Sequence, residues 1–293
     1  MEIMPHNLQV PDAHFMIGER ILAIDDRRRS YLIELRIGGA LSTHRGSISH
    51  DEIVDQLPGV KVISSKGTQF RVIRPTVAEW IEAMPRGAQV IYPKDLAQIL
   101  MMADIRPGVN VLESGVGSGA LSTALLNAGA HVTGYEIRED FANRARNNVS
   151  AILGSGALEK YQIVMSDIYE GVSETGFDRV VLDLPEPWRV LPVIDDSLRI
   201  GGLIVAYQTS VGQLAQFRAG LEQNGFFLAN TKEVLVRDWY YSSMALRPDQ
   251  RMVAHTGFLT VARKGSRANN RDTYRSDRLE NDNVNVNPVV QDC

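Results

Sequence analysis

The chain has 293 residues, enough for one large domain or a medium domain with a small companion. With 44% hydrophobic and 23% charged residues it has the composition of a globular protein, and a formal net charge of -4 leaves any nucleic-acid partner to be met by local patches. A single cysteine, Cys293 at the last position, excludes an internal disulfide and a cysteine-based metal site.

The start, MEIMPHNLQVPDAH, has no basic segment leading into an apolar run, and no apolar stretch approaches the ~20 residues of a membrane span. The expectation is a cytoplasmic protein with no membrane partner. Short alternating apolar runs follow over residues 15 to 75: ERILAIDD, SYLIELRI, GVKVISS and TQFRVIRP. Turn clusters such as DDRRRS and KGT separate them, which predicts a small antiparallel β-domain over residues 1–75. Pro75 and the loop EAMPRGAQ mark its exit.

From about residue 95 strands alternate with helical segments, the signature of a parallel sheet covered by helices. VNVLES, HVTGYEI, YQIVMSD, FDRVVLDL and GGLIVAYQ read as strands; GALSTALLNAG, REDFANRARNNVSAIL and VGQLAQFRAGLEQNG read as helices. FLANTKEVLVRD and VAHTGFLTVARK supply two closing strands, so the expected α/β domain covers residues 76–264. Beyond Lys264 the chain turns polar, and residues 265–293 are expected to be a disordered tail.

The stretch VLESGVGSGAL, residues 111 to 121, carries the chemistry. An apolar run ends in Glu113, and a loop with Gly115, Gly117 and Gly119 leads into a helix. Gly115, Gly117 and Ala120 satisfy a dinucleotide fingerprint, with Glu136 about 20 residues further on, so the loop alone admits an NAD-dependent oxidoreductase. A Walker loop is excluded because no Lys-Ser or Lys-Thr pair follows the glycines. Three features favour S-adenosylmethionine. Glu113 would repel a pyrophosphate but suits a ligand carrying an ammonium and a sulfonium, whose carboxylate can meet N–H groups at the helix start, Ser118 to Leu121. Glu136, Asp167 and Asp183 end three further strands, and strand carboxyl ends are where ligands sit in open α/β sheets. LDLPEPW, residues 182 to 188, follows strand four, and its acid, prolines and aromatic resemble the substrate-base-holding motif of amino-methylating enzymes.

With RGAQVIYPKD, GYEIREDFANRARNNV and MVAHTGFLT added, the chain resembles the tRNA (adenine-N1)-methyltransferases, in their single-gene bacterial and archaeal form. The resemblance runs from about residue 15 to 264; YPKD, LDLPEPW and HTGFLT are its specific motifs, whereas the glycine loop is shared by the superfamily. Ser114 departs from the small residue, such as alanine, expected before the first glycine. The resemblance implies a Rossmann-like, seven-stranded class I methyltransferase domain behind the small N-terminal β-domain. It also implies S-adenosyl-L-methionine as methyl donor, tRNA as substrate with methylation at the T-loop adenine of position 58, and a homotetramer. A degenerate, non-catalytic RNA-binding subunit would be expected to have lost part of the glycine loop, Glu136 or Asp183, all present here.

Residue roles follow as expectations. The three glycines allow close backbone approach to the cofactor. Glu136 accepts from both ribose hydroxyls, unless it is only a surface acid paired with Arg138. Asp167 accepts from the cofactor's adenine amino group, or merely caps a turn. Phe141 covers the adenine ring, or belongs to the core. Asp183 is the catalytic candidate, because N1 of adenine is neutral with a free lone pair and its methylation generates a cationic ring. A carboxylate accepting from the adenine N6 amino group stabilises that charge. Tyr92 lines the cleft and touches cofactor or target base, or anchors a loop. Arg27, Arg28, Arg29, Arg237, Arg247 and Arg251 are candidate phosphate contacts, and His255 reads as a satisfied strand residue. The remaining histidines show no metal-ligand spacing, so no metal site is expected.

Overall fold

The computed structural model describes residues 13–242 and 244–266. The expected tail therefore lies, from residue 267 on, outside the described residues.

Four antiparallel strands, β1 (Arg20–Asp25), β2 (Ser30–Glu34), β5 (Lys61–Ile63) and β6 (Gln69–Ile73), form one sheet in the order β2-β1-β6-β5. These are the four alternating runs of the sequence. The hairpin β3 (Ala40–Thr43) and β4 (Gly46–Ser49) was not anticipated; its serines and threonine gave little apolar alternation, and only Leu41 and Ile48 turn inward. Phe15, Ile21, Leu35, Ile48, Ile53 and Phe70 fill the core beneath.

Two helices follow that the sequence reading did not name. Helix α1 (Val77–Ala83) opens on a capping box in which the Thr76 side chain accepts the Glu79 N–H and Glu79 accepts the Thr76 N–H. Helix α2 (Pro93–Met102) begins with Pro93 in its first turn, where a missing N–H costs nothing. YPKD is thus the start of a helix, not a loop.

The main sheet has seven strands: β7 (Asn110–Ser114), β8 (His131–Glu136), β9 (Tyr161–Met165), β10 (Phe177–Leu182), β11 (Leu198–Gln208), β12 (Phe226–Glu233) and β15 (Phe258–Lys264). Their spatial order is β12-β15-β11-β10-β7-β8-β9; β15 runs antiparallel to its neighbours β11 and β12, and the other six strands all run in one direction. From β7 the chain winds outward to β8 and β9, then returns to the other side of β7 for β10 and β11. The gap between β7 and β10 is therefore the topological switch point, where ligands bind in such sheets. Helices α3 (Ala120–Asn127) and α4 (Glu139–Leu153) pack with α1 and α2 over one face, where Leu125, Ala145 and Val149 join Trp80 and Ile99; α5 (Val211–Gln223) buries Phe217 and Leu221 on the other.

The closing strands are shorter than read. Residues 234–238 and 253–257 lie outside β12 and β15, and an exposed hairpin, β13 (Trp239–Ser242) with β14 (Ala245–Pro248), sits between them. His255 is consequently in a loop, not a strand. Its Nδ1 lies 2.6 Å from Glu233 Oε1 and its Nε2 3.3 Å from the Thr209 carbonyl; the Glu233 contact, then that carbonyl, raises its pKa.

Candidate active site

The glycine loop sits at the end of β7, against the end of β10. Asp183 N–H donates to the Ser114 carbonyl at 2.9 Å, and a Cβ on Gly115 would run into the Asp183 carbonyl oxygen. Gly115 (φ +88°) thus serves the close approach of two strand ends. Gly119 does the same for two helices, since a Cβ there would press on Ala145 of α4 at 3.0 Å. Only Gly117 has room before it, with the nearest heavy atom 3.8 Å from an added Cβ. Two of the three glycines are thus required by the protein's own packing as well.

Glu113, next to the end of β7, has no exposed surface. Its Oε2 accepts from the Ser122 hydroxyl at 2.7 Å, and that hydroxyl lies 2.8 Å from the Tyr161 hydroxyl. Its Oε1 is buried without a hydrogen-bond partner among the described residues. Burial pushes this carboxyl up to about 8, against the Ser122 hydrogen bond, with the charge of Asp183 adding to the rise. Asp183 follows Leu182, the last residue of β10, and its carboxylate has no hydrogen bond or ion pair among the described residues. Withdrawal from water raises it to about 7.

Glu136 ends β8 and is buried. One oxygen accepts the Gly117 N–H at 3.0 Å, and the other accepts the N–H groups of Ile137 and Arg138 at 2.9 and 3.0 Å. The surface pairing with Arg138 does not occur: that guanidinium binds Asp140 and lies 3.9 Å over the Phe141 ring. Phe141 is buried under it, with Arg144 5.3 Å away on the same ring system. Asp167 caps a short 3-10 turn, accepting the Tyr169 N–H at 2.9 Å, so the capping alternative describes one of its oxygens. Ser118 is also engaged: its hydroxyl accepts the Gly87 N–H at 3.3 Å, and its carbonyl accepts from the Asn148 amide, which also reaches the Pro85 carbonyl. The segment before α2 is thereby fastened to the glycine loop. Ala120 and Leu121 are buried in the first turn of α3.

Tyr92 caps α2 without a side-chain cap bond, and its ring is partly exposed. The sequence reading missed Tyr207, next to the end of β11. Burial first, then the charges of Asp95 and Asp183, push its phenol up to about 12, and Tyr92 is also within its electrostatic reach. Its place at the end of an apolar strand, GGLIVAYQ, was the available signal. Among the described residues no cluster of histidine, cysteine, aspartate or glutamate is arranged to hold a metal.

Two carboxyl groups at a switch point, one with an orphaned oxygen and one without a partner, are incomplete without a cation or a donor from elsewhere. Comparison with known proteins agrees. The family described as "tRNA methyltransferase complex GCD14 subunit" matches residues 69–244, and "TrmI-like N-terminal" matches residues 14–62. A tRNA (adenine(58)-N(1))-methyltransferase TrmI of Thermus thermophilus is 32% identical, with 83% of this chain and 96% of the relative covered. The chain belongs to the tRNA (adenine-N1)-methyltransferase family.

A second member, the tRNA (adenine(57)-N(1)/adenine(58)-N(1))-methyltransferase of Methanocaldococcus jannaschii, is also 32% identical, over 83% of this chain and 94% of its own. The crystal structure of the tRNA (m1A58) methyltransferase TrmI of Aquifex aeolicus superposes with a TM-score of 0.76 at 29% identity, covering 87% of this chain and all of that one (100%). A Thermotoga maritima structure described as a SAM-dependent O-methyltransferase gives 0.82 at 31% identity, covering 90% and 99%. The fold is that of the SAM-dependent methyltransferases, and the methyltransferase family fixes the enzyme class. The switch-point acids are therefore those of a tRNA (adenine-N1)-methyltransferase, which disposes of the oxidoreductase alternative.

Proposed function

We propose that the chain transfers a methyl group from S-adenosylmethionine to N1 of the adenine at position 58 in the T-loop of tRNA, with Asp183 as its catalytic residue. The observation that carries the reading is the pair of carboxyl groups at the switch point, Glu113 with a buried oxygen lacking a partner and Asp183 with no partner among the described residues. They fit a cofactor with two positive centres. Glu113, Glu136, Asp167 and Phe141, with the loop and helix start formed by Gly115, Gly117, Ser118, Gly119, Ala120 and Leu121, would hold it. Glu136 is already aimed at the loop through Gly117, the glycine with open space before it. When bound, the cofactor supplies an electrophilic methyl on a sulfonium.

The protein's own part is orientation and charge. Asp183 accepts from the N6 amino group of the target base, which turns N1 toward the methyl and stabilises the positive charge that grows on the ring. No base is required, because the N1 lone pair is free; the rest is in-line positioning, aided by Tyr92 at the cleft edge. Methylation of a hydroxyl oxygen, by contrast, requires a base to take up its proton.

The proposed setting is the cytoplasm, and the proposed assembly is a homotetramer. Two features support them: no helix among the described residues is long and apolar enough to cross a membrane, and Trp239, Tyr241, Met244 and Leu246 leave the β13–β14 hairpin apolar and exposed. The test is incubation of the protein with labelled cofactor and unmodified tRNA, followed by mapping of the product. 1-Methyladenosine at position 58 is expected. Methyl only on a ribose oxygen, on guanine or on protein overturns the reading, and label at position 57 as well would align the chain with the relative that acts at both.

A further inference from the structure

Three segments far apart in the chain meet at the end of β11, the strand next to the one that Asp183 follows, through one largely buried polar knot. Asp95, in the first turn of α2, has no exposed surface. The ammonium of Lys94 donates to both its oxygens at 2.9 and 3.0 Å, to the Val234 carbonyl at 2.8 Å and to the Thr256 hydroxyl at 2.6 Å. The Thr256 hydroxyl in turn donates to Asp95 at 2.8 Å, and the Thr256 carbonyl accepts from the Tyr207 hydroxyl at 2.6 Å. Gly257 is needed next in line, since a Cβ there would meet the Tyr207 ring at 2.5 Å. The knot thus ties the turn that carries Tyr92, the exit of β12 and the loop before β15 to the tyrosine at the end of β11.

Stability alone does not explain this construction. A buried ion pair contributes little over apolar residues of similar volume, because desolvation offsets its attraction. A satisfied network does fix geometry, since hydrogen bonds are directional. Here the bonds converge on Tyr207, which follows the Ala206 paired with Leu182 and so stands next to Asp183 at the strand ends, and on the turn of Tyr92 at the start of α2.

We infer that Lys94, Asp95 and Thr256 are positioning residues, which hold Tyr92 and Tyr207 as the two walls that orient the target base against Asp183. The inference rests on the adenine-methylating reading above. It assigns a purpose to YPKD and HTGF, motifs that make no hydrogen bond to the glycine loop or the LPEP turn among the described residues.

Thr256→Val removes the hydroxyl that both accepts from Lys94 and donates to Asp95, at nearly constant volume; Thr256→Ser keeps it. Single-turnover methyl transfer to tRNA at saturating cofactor is compared with cofactor affinity by calorimetry and with thermal melting. Thr256→Val is expected to slow transfer about tenfold or more, in keeping with the cost of misplacing a reacting group. Its cofactor affinity stays within about twofold, and Thr256→Ser transfers within about threefold of the wild type. Wild-type transfer by Thr256→Val overturns the inference. So does Thr256→Ser being as slow as Thr256→Val, or a loss of cofactor affinity equal to the loss of rate. Should Thr256→Val fail to fold, Lys94→Gln, which keeps a donor but not the charge or the third bond, carries the same comparison. Failure of the wild type itself to methylate tRNA adenine would instead remove the underlying reading, and it is seen before any variant is made.

Discussion

Acids are treated in opposite ways in the two parts of the molecule. In the N-terminal sheet each has a cation at hand: Asp25 holds Arg29, Asp26 holds Arg45, Glu19 holds Arg74, and Glu34 holds Arg20. Burial pushes the Asp25 carboxyl up, but the N–H groups of Arg29 and Arg27 and the Arg29 guanidinium outweigh it and leave the pKa below its ordinary value. At the switch point of the large sheet, Glu113 and Asp183 are withdrawn from water with no cation beside them among the described residues, and their pKa values rise to about 8 and about 7. One region completes its electrostatics internally. The other is left to be completed by a ligand, which is how a functional site differs from a structural network.

The largest effect expected from breaking this contrast is on stability. An acid whose folded pKa lies above its unfolded value binds more protons in the native state, so it costs stability as pH rises through the interval between the two. For Glu113 that interval runs from about 4.5 to about 8. The ligand-free protein should therefore lose stability on the order of 4 kcal/mol across it from this group. Glu113→Gln should reduce the dependence, leaving the part that Asp183 contributes below about 7, as read by denaturant melts at pH 5 and pH 9. Equal slopes in wild type and variant would show that Glu113 is not the group responsible.

Asp183→Ala comes next. If its carboxylate stabilises the charge on the methylated base, single-turnover transfer at saturating cofactor should fall by roughly a hundredfold or more, while tRNA affinity barely moves. The carboxylate is the active form, so kcat/KM for the cofactor, which reports the ligand-free protein, should rise with pH and level off above the Asp183 value of about 7. An Asp183→Ala variant that turns over at the wild-type rate would sink the mechanism, even with the enzyme class intact. Glu136→Ala should act on binding first, raising the cofactor Kd about tenfold. Part of that rise would come from releasing Gly117 N–H, which Glu136 holds at 3.0 Å. A Kd unchanged by calorimetry would remove Glu136 from the proposed ribose-binding role.

What the sequence disclosed and what it withheld divide along a physical line. Adjacent residues are visible: β-branched runs ending in Glu113, Glu136 and Asp183, and a helical pattern beginning at Ala120, announced the parallel sheet and its ligand edge. Partners distant in the chain are not. Nothing in VLES reveals that Ser122 and Tyr161 would meet Glu113, or that Gly115 is a glycine because Asp183 lies against it. Helix α2 was hidden because its tyrosine and proline resemble loop punctuation, although Pro93 belongs to a first turn. The β13–β14 hairpin escaped because Trp239, Tyr240, Tyr241 and Leu246 are exposed on it, so burial imposes no alternation. Asp167 shows the limit for a single residue: its cap on Tyr169 and its proposed cofactor contact use different oxygens, and both readings were open from MSD alone.

The smallest effects should come from the paired acids, and they sharpen the contrast by their specificity. Asp25 is buried in a turn, where it accepts the N–H groups of Arg27 and Arg29 at 2.8 and 2.9 Å and the Arg29 Nε at 2.8 Å. Asp25→Ala leaves those donors without their acceptor and should cost about 1–3 kcal/mol. Asp26, by contrast, is half exposed in its pair with Arg45, so water and salt screen the attraction. Asp26→Ala should cost less than about 1 kcal/mol, a difference that vanishes at high salt. Neither substitution should alter cofactor affinity or the single-turnover rate, because both acids are satisfied within the small sheet. Denaturant melts at low and high salt, with calorimetry on the same samples, check the pair together. A cofactor affinity weakened by Asp26→Ala would mean that the two regions share their charges, and that the division between a self-completed network and a ligand-completed one is drawn in the wrong place.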